Sequence, residues 1–367
     1  MNLPVHPDEL TAPWLTEALR ASGAVDRASV VDFDIEPMSV EKGITGYLVR
    51  LYPTYDRPDP AAPASLVAKF SGLDPQLREV IHSMGFYERE VRFYRELAVS
   101  TPIHTPTCYF ADIEVTEGRS LILMEDLAPG RNGSWVAGSS IQELHLAVTE
   151  IAKVHAAWWR SPILDEKTWL GMTGMMSTSQ VQPIFDQTWP SFLEKLFVPA
   201  SRQINEVGEL LHGHLEAVNA HLLETPPRTL IHHDYDGDNL FFNGSANTLG
   251  LSVIDWQMTT GGRPPVDIAW LIGGQCEPQL RRDNEEQLLR LYHSLLLENG
   301  VHEYAFEQCW DDYRLAMLLP AGRIAVAVGV SQTPPAGGGF WDVVFPRYCQ
   351  AIEDLEVADL LTTDWRH

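Results

Sequence analysis

Alternating apolar and polar residues predict that the first third of the chain is rich in β-strands. The alternation is clear over residues 30–38 and 46–55, and half-buried strands have this pattern. Residues 65–72 form a third strand-like run that is apolar except for one lysine. Residues 108–127 predict a hairpin whose two strands flank a turn at Gly118. These runs indicate a mainly β N-terminal region.

Apolar residues at helical spacing dominate the rest of the chain. Within the first third, this spacing occurs over residues 11–23 and 77–100. Ser140 and Glu143 then form a capping-box pattern, which predicts the start of a helix over residues 141–159. Further helices are predicted at residues 205–224, 283–299, 304–330 and 345–361.

The change of pattern predicts two lobes. We expect a β-rich N-terminal lobe over residues 1–125 and a helix-rich C-terminal lobe over residues 126–367. Residues 231–256 are an exception within the second lobe, because they contain two short strand-like runs. The predicted class is therefore α+β, with a β-hairpin inside the helical lobe.

The charge of the chain argues against two classes of partner. The 367 residues include 50 acidic and 26 basic ones, which gives a formal net charge of −24. A protein that binds nucleic acid is expected to present a basic face. An anionic membrane surface would likewise repel so acidic a protein. We therefore expect neither a nucleic-acid partner nor a membrane partner.

Cysteine usage and the N-terminus indicate a cytoplasmic protein. The four cysteines are scattered and form no CxxC pair, so reduced thiols are expected. The first residues, MNLPVHPDELTAPW, lack the basic and apolar regions of a signal peptide. No apolar run reaches the length that a membrane-spanning helix needs.

Residues 231–243 read IHHDYDGDNLFFN and carry unusually many polar groups for an apolar stretch. The runs at 239–242 and 249–255 are strand-like, and the turn-forming residues between them predict a hairpin. A hairpin would bring Asn239 near Asp255, and Asp234 precedes Asn239 by five residues. Carboxylate and amide oxygens suit Mg²⁺, which also retains phosphate oxygens and water as ligands.

Lys69 supplies a positive charge for the anionic phosphoryl group. It lies in the apolar run LVAKF, where a lysine is costly unless it is paired. The following helical segment contains Glu88 and Glu90 as candidate partners. A strand lysine, a helix glutamate, an Asp-x4-Asn loop and a later aspartate are together the residues that ATP-dependent phosphoryl transfer needs.

These motifs resemble those of the aminoglycoside phosphotransferase-like superfamily of small-molecule kinases, which has the protein-kinase fold. HHDYDGDN (232–239) resembles the catalytic loop, VIDWQ (253–257) the metal-binding segment, and VAKF (67–70) the lysine strand. LILMEDL (121–127) is similar to the hinge that receives adenine. The segments FYERE, MEDL and HAAWW together resemble the ecdysteroid-kinase-like or CHK-kinase-like branch. The resemblance implies a protein-kinase-like bilobal fold.

The resemblance also implies roles for individual residues of the C-terminal motifs. Asp234 would be the catalytic base that orients the acceptor hydroxyl. Asn239 and Asp255 would bind Mg²⁺. His232 would brace the catalytic loop, and Asp267 would support this loop from behind.

In the N-terminal lobe, the resemblance implies that Lys69 holds the ATP phosphates. Glu90 is its expected ion-pair partner, and Glu88 is the alternative. Gly43 and Gly46 would be the glycines of the turn that covers the phosphates. Backbone groups near Glu125 and Leu127 would form the hinge that binds adenine. The turn lacks a full G-x-G-x-x-G motif. His233, Trp256 and Gln257 also depart from the residues usual in protein kinases.

Two alternatives to an active kinase stay open. A pseudokinase would bind a nucleotide or a partner without transferring phosphate. A metal-dependent phosphohydrolase would use His232 and His233, but it would need further ligands on helices. The helical histidines at positions 212, 214 and 221 are instead expected at the surface.

The predicted function is ATP- and Mg²⁺-dependent phosphorylation of a small hydroxylated molecule. Its pocket is expected to include the segment 170–205 and the loop 331–345. Met, Phe and Trp residues in the first of these favour an apolar acceptor, although they could equally form core. The sequence leaves open ATP or GTP, monomer or homodimer, and the identity of the acceptor.

Overall fold

The computed structural model describes residues 2–38, 46–196, 200–244, 249–330 and 340–362.

The chain divides into two compact units. The first comprises Met1–Gly130 together with Val253–Met258, and the second comprises Arg131–Ser252 and Thr259–His367. The short segment that contains Asp255 therefore belongs to the first unit by its contacts, although it is distant in sequence. The predicted lobe boundary between residues 125 and 126 stays a prediction.

In the described part of the first unit, five strands form one antiparallel sheet. They are β1 (Val30–Pro37), β2 (Gly46–Tyr55), β3 (Leu66–Ser71), β4 (Cys108–Glu114) and β5 (Arg119–Glu125). Their order is β1-β2-β3-β5-β4. Each strand predicted from alternation is present, and Gly118 adopts a left-handed φ of 63° in the β4–β5 turn. One face of the sheet packs on helix α1 (Ala12–Ala21) through buried leucines such as Leu15 and Leu19.

The prediction of one continuous helix over residues 77–100 is wrong. Two helices are present, α2 (Pro75–Ser83) and α3 (Phe86–Arg92), followed by a π-helical turn at Phe93–Leu97. Gly85 separates the helices with a φ of 76°. A glycine in the left-handed region commonly ends a helix, because it has no Cβ to clash there.

The second unit is mostly helical. Its helices are α4 (Ile141–Ala157), α5 (Ile163–Glu166), α6 (Thr178–Lys195), α7 (Arg202–Glu224), α8 (Pro265–Gln275), α9 (Pro278–Glu298), α10 (Phe306–Ala316), α11 (Leu318–Val330), α12 (Phe340–Asp354) and α13 (Val357–Leu361). Its short strands are β6 (Arg131–Asn132), β7 (Thr229–Ile231), β8 (Leu240–Asn243), β9 (Gly250–Val253) and β10 (Thr260–Gly262). Strand β7 pairs with β10, and the other three form a sheet in the order β6-β8-β9. The predicted capping box at Ser140 and Glu143 is confirmed.

Two long helices predicted in this unit are each interrupted. The helical pattern at 304–330 forms α10 and α11, and Pro320 in the first turn of α11 cannot donate the hydrogen bond that would join them. The pattern at 345–361 forms parts of α12 and α13, which are separated at Glu356 with a φ of 51°. Both breaks come from local backbone constraints that apolar periodicity does not reveal.

His221 is buried, and the expectation that it lies at the surface is wrong. Its Nε2 lies 3.2 Å from Asp312 Oδ1. Arg263 donates to both carboxylate oxygens of the same aspartate, at 3.0 and 2.8 Å. These residues form a buried polar network that links helices α7 and α10. The pairing is expected, because a buried charge is costly without such partners.

Among the residues described, no helix combines the length and the hydropathy needed to span a membrane.

Candidate active site

Lys69 lies between two carboxylates in the first unit. Its Nζ is 2.8 Å from Glu90 Oε1 and 2.7 Å from Asp255 Oδ1. The side chains of Lys69 and Glu90 are 12% and 4% exposed, and that of Asp255 is 25% exposed. Strand β3, helix α3 and the segment Val253–Met258 thus each contribute one charge to a nearly buried cluster. Glu88 instead pairs with Arg92 Nε at 2.7 Å.

Burial and charge act in opposite directions on this cluster. Burial by itself would lower the pKa of Lys69, but the charges of Asp255 and Glu90 outweigh it and raise this pKa above its ordinary value. Burial raises the pKa of Glu90 to about 7, even though the Lys69 ammonium acts to lower it. The lysine therefore stays charged at neutral pH.

The segment Val253–Met258 is anchored by aromatic stacking and by a buried arginine. The Trp256 ring is fully buried and stacks on Phe93, with ring centroids 4.1 Å apart and planes within 5°. Arg89 is buried and donates to the carbonyl oxygen of Gln257 at 3.0 Å. Asp255 itself has a φ of 63°, a sparsely populated backbone region that is often found at functional sites. These contacts fix the residue whose carboxylate faces Lys69.

Gly46 lies beside the lysine. A Cβ at this position would lie 2.9 Å from the Phe70 carbonyl oxygen and 3.4 Å from Lys69 Cε. A side chain here would therefore press on the lysine stem. Gly43, the other predicted glycine of this turn, lies outside the described residues.

The predicted hinge follows strand β5. The Glu125 carboxylate accepts hydrogen bonds from the backbone nitrogen and the hydroxyl of Thr107, at 3.0 and 2.9 Å. The Leu127 carbonyl accepts from Gly130 N at 3.0 Å. Between them, Asp126 makes a two-pronged ion pair with Arg50, at 2.8 and 3.3 Å. The role of this segment in adenine binding stays a prediction.

The second unit holds the Asp-x4-Asn loop, which connects strand β7 with strand β8. Asn239 Nδ2 donates to the Asp234 carbonyl oxygen at 2.8 Å and to Asp234 Oδ2 at 3.3 Å. The loop geometry therefore brings the predicted base and the predicted metal ligand into direct contact. The amide group uses its nitrogen for both bonds, so neither of them engages its oxygen.

Asp267, on helix α8, contacts the backbone of this loop, and its implied role as the support of the loop stays a prediction. Its two carboxylate oxygens accept from the backbone nitrogens of His232 and His233, both at 2.7 Å. Its Oδ2 also lies 3.1 Å from His155 Nε2. The other ring nitrogen of His155 lies 2.7 Å from the Tyr292 hydroxyl. Asp267 is fully buried, and its link through His155 to Tyr292 has no signal in the sequence.

Gln275 and Trp270 secure the far end of the loop, and sequence reasoning missed both. The Gln275 side chain accepts from Gly237 N at 3.0 Å. Trp270 Nε1 donates to Asp236 Oδ2 at 3.2 Å. Both residues lie on α8, the helix of Asp267, so three residues of one helix contact the loop. Only their position three or eight residues from Asp267 could have suggested this role.

Asp236 is a buried acid within the loop. Burial raises its pKa well above the usual range, and the charges of Asp234 and Asp238 add to the effect. Arg323, on helix α11, is a cation that faces these acids: its Nη2 lies 3.7 Å from Asp234 Oδ1. Nothing in the sequence around Arg323 distinguishes it from the other arginines of the C-terminal helices.

The aromatic residues that favoured an apolar acceptor belong to the core. Phe185, Trp189 and Phe192 on helix α6 are all buried. Their rings contact one another, with centroids 5.3 and 5.1 Å apart. They consequently give no information about the acceptor, and the predicted loop residues 331–339 lie outside the described part of the chain.

A cavity of 440 Å³ lies elsewhere in the second unit. It is lined by polar and apolar residues, among them Leu170, Met172, Thr178, Glu216 and Arg228. Neither Asp234 nor Asn239 is a lining residue, so we do not assign the phosphate acceptor to this cavity.

Sequence comparison identifies the family. The model of the ecdysteroid kinase-like family matches residues 45–302, which is more than half of the chain. The chain belongs to the ecdysteroid kinase-like family. No curated protein sequence matches it significantly. The matched region of this ecdysteroid kinase-like protein includes Lys69, Glu90, Asp234, Asn239 and Asp255.

Solved structures with the same fold are small-molecule kinases. The amicoumacin kinase hAmiN, in complex with AMP-PNP, Ca²⁺ and Ami, has a TM-score of 0.51 at 13% identity, covering 95% of this chain and 96% of that one. APH(2″)-IIia, in complex with GDP and kanamycin, also has a TM-score of 0.51, at 10% identity, covering 95% and 99%. The predicted α+β, protein-kinase-like fold is thereby confirmed. By its family and its fold, the ecdysteroid kinase-like protein belongs with the small-molecule kinases.

Proposed function

We propose that this ecdysteroid kinase-like protein transfers the γ-phosphoryl group of ATP to a hydroxyl of a small molecule, with Mg²⁺ as the metal. The observation that carries the proposal is the position of Lys69 Nζ between Glu90 and Asp255. In protein kinases a strand lysine paired with a helix glutamate contacts the nucleotide phosphates, and metal held by a nearby aspartate neutralises the developing charge. The AMP-PNP bound to the amicoumacin kinase supports an adenine nucleotide.

The candidate metal ligands have the chemistry that Mg²⁺ requires. Asp255 offers a carboxylate that is one-quarter exposed, and Asn239 offers the amide oxygen that its two hydrogen bonds leave unused. Mg²⁺ prefers such hard oxygen ligands and takes few of them from the protein. When bound, the metal would neutralise charge on the transferring phosphoryl group.

The residues of the chain would divide the remaining work. Lys69 would hold the α- and β-phosphates with its ammonium group. The oxygen of the acceptor hydroxyl would bond to the γ-phosphorus while the bond between this phosphorus and the ADP oxygen breaks. Asp234 would accept the proton that the hydroxyl loses. His232 and Asp267 would keep the loop backbone in place, since catalysis of phosphoryl transfer depends on positioning as well as on electrostatic stabilisation.

Nucleotide binding is tested first by thermal unfolding of the wild type and of Asp255→Ala. A ligand at 100 times its dissociation constant adds about 2.7 kcal/mol to the unfolding free energy. We expect a rise in Tm with Mg²⁺-ATP that is smaller without Mg²⁺ and is abolished in Asp255→Ala. GTP in a parallel titration decides between the nucleotides, because APH(2″)-IIia, which has the same fold, binds GDP.

Transfer is tested with a panel of small alcohols, by ADP release and by the mass gain of the product. Asp234→Asn should bind Mg²⁺-ATP as the wild type does but lose transfer. Asp283→Asn, which changes an exposed aspartate on α9, is the matched control and should keep full activity. A wild type that binds ATP but phosphorylates no acceptor would favour the pseudokinase alternative.

A further inference from the structure

Arg323 contacts the catalytic loop at two adjacent residues. Its Nη1 donates to the carbonyl oxygen of His233 at 2.6 Å, and its Nη2 lies 3.7 Å from Asp234 Oδ1. The guanidinium carbon lies 4.3 Å from the centre of the Trp270 ring. The side chain is only 14% exposed. Helix α11 thus places a nearly buried cation against the proposed base.

The two oxygens of the Asp234 carboxylate face different partners. Asn239 Nδ2 donates to Oδ2, and the Arg323 guanidinium lies on the side of Oδ1. The carboxylate is therefore bracketed from both sides. A rotation about its terminal bond would lose the interaction with one partner or with both, so the bracket restricts its orientation.

The backbone at His233 is also held from two sides. Its nitrogen donates to Asp267 Oδ1, and its carbonyl oxygen accepts from Arg323 Nη1, at 2.7 and 2.6 Å. This residue has a φ of 65°, which a non-glycine residue keeps only where the surroundings enforce it. Arg323 therefore fixes the peptide plane that leads directly into Asp234.

Several charges surround Arg323. Burial lowers its pKa, and the charges of Asp234, Asp236 and Asp267 act against that change. The planar guanidinium can bond to a carbonyl while it stacks on an aromatic ring and faces a carboxylate. A lysine would keep the charge but would lose the planar, two-pronged geometry.

Helix α11 is itself anchored to helix α6. Lys195 Nζ donates to the carbonyl oxygens of Val328 and Gly329, both at 2.9 Å. Ser191 donates to the second of these carbonyls at 3.1 Å. Arg323 is thus carried by a braced helix, and positioning from such an element is more accurate than from a loop.

We infer that Arg323 is a positioning residue that orients the Asp234 carboxylate and locks the His233 peptide for phosphoryl transfer. This role rests on the proposed function, because it assumes that Asp234 is the base. It acts on the catalytic step rather than on nucleotide affinity, since its contacts are to the loop that carries the base.

The test compares Arg323→Met and Arg323→Lys with Arg314→Met. Arg314 is the matched control, because it is 16% exposed and donates to the carbonyl oxygens of Leu355 and Glu356, away from the catalytic loop. A displacement of about 1 Å can lower a rate by about 10²-fold. We therefore expect Arg323→Met to lower kcat by about 10²-fold while KM for the nucleotide changes by about twofold at most. Arg323→Lys should retain part of the lost rate, and Arg314→Met should keep kcat near that of the wild type.

Hydrogen exchange provides a second readout that needs no acceptor. Peptides that span residues 232–239 should exchange about tenfold faster in Arg323→Met, because local opening becomes easier when a loop contact is lost. The same peptides should be unchanged in Arg314→Met. Unaltered exchange, or a kcat loss no greater than that of Arg314→Met, would overturn the positioning role. If instead the wild type transfers no phosphate while exchange changes as expected, the proposed function fails and the loop-locking role stands.

Discussion

Lys69 Nζ lies 2.7 Å from Asp255 Oδ1, although the two residues are 186 positions apart in the chain. The stacked pair of Trp256 and Phe93 and the bond from Arg89 to Gln257 hold the aspartate at this distance. The nucleotide contact proposed for Lys69 rests on this position and on the charge of its ammonium group. The importance of this cluster can be tested by comparing substitutions within it with substitutions of residues beside it.

Glu90→Gln should reduce phosphoryl transfer far more than Glu88→Gln. Glu90 is 4% exposed and contacts Lys69, whereas Glu88 is 28% exposed and pairs with Arg92. Loss of the buried partner lets the lysine move, and we expect kcat/KM to fall by about 10²-fold, as misplaced catalytic groups do. Glu88→Gln should change stability by less than about 1 kcal/mol, as is usual for surface pairs. Steady-state kinetics on both variants would contradict the assignment if their losses were equal.

Stability should depend on pH through Glu90. Burial raises its pKa to about 7 in the folded protein, above the value of about 4.3 that is typical of an unfolded chain. The folded state therefore binds more protons between these values, so this contribution to the unfolding free energy is full at low pH and is lost as pH rises through about 7. Urea unfolding of the wild type and Glu90→Gln at several pH values measures the effect. A difference between them that does not vary from about pH 5 to about pH 8 would refute it.

Asp267→Asn should loosen the catalytic loop. The carboxylate accepts from two backbone nitrogens at 2.7 Å, and an amide can present only one oxygen to them. One buried N–H group then faces an NH2 group, which costs about 1–3 kcal/mol in unfolding free energy. We expect a lower denaturation midpoint together with a loss of kcat. Wild-type stability in this variant would show that the loop is held by other contacts.

Gly237→Ala and Gly213→Ala should have opposite effects on stability. A Cβ at Gly237 would lie 2.3 Å from Gln275 Nε2, and the Gln275 side chain is fully buried. Such overpacking costs about 1–3 kcal/mol. Gly213 lies inside α7 with nothing within 4 Å of a Cβ, so alanine there should stabilise by about 0.5–1 kcal/mol. Equilibrium unfolding of both variants gives the comparison, and stabilisation by both would refute the packing argument.

The strands of the first unit and most helices of the second could be predicted from the sequence. Their signals are local, because apolar periodicity, a capping box and turn residues act within a few positions of one another. The helix breaks at Gly85 and near Pro320 were not predicted. The apolar periodicity continues across both positions, although the helical hydrogen bonding does not. The burial of Phe185, Trp189 and Phe192 was left open, because the same apolar side chains suit a pocket and a core.

The motifs around Asp234 and Lys69 were enough to predict the class of enzyme, because phosphoryl transfer needs particular residue types at short spacings. The choice between Glu88 and Glu90 depended on which side of helix α3 faces strand β3, and only the packed structure decided it. Arg323 and Gln275 reach the loop from helices far away in sequence, and His155 reaches Asp267, which in turn holds the loop backbone. A contact between distant segments is set by the tertiary packing of whole helices. Neither of the two segments shows a sequence pattern that reveals it. The sequence by itself therefore determined the elements and the reactive groups, and the tertiary structure alone decided which side chains hold those groups in place.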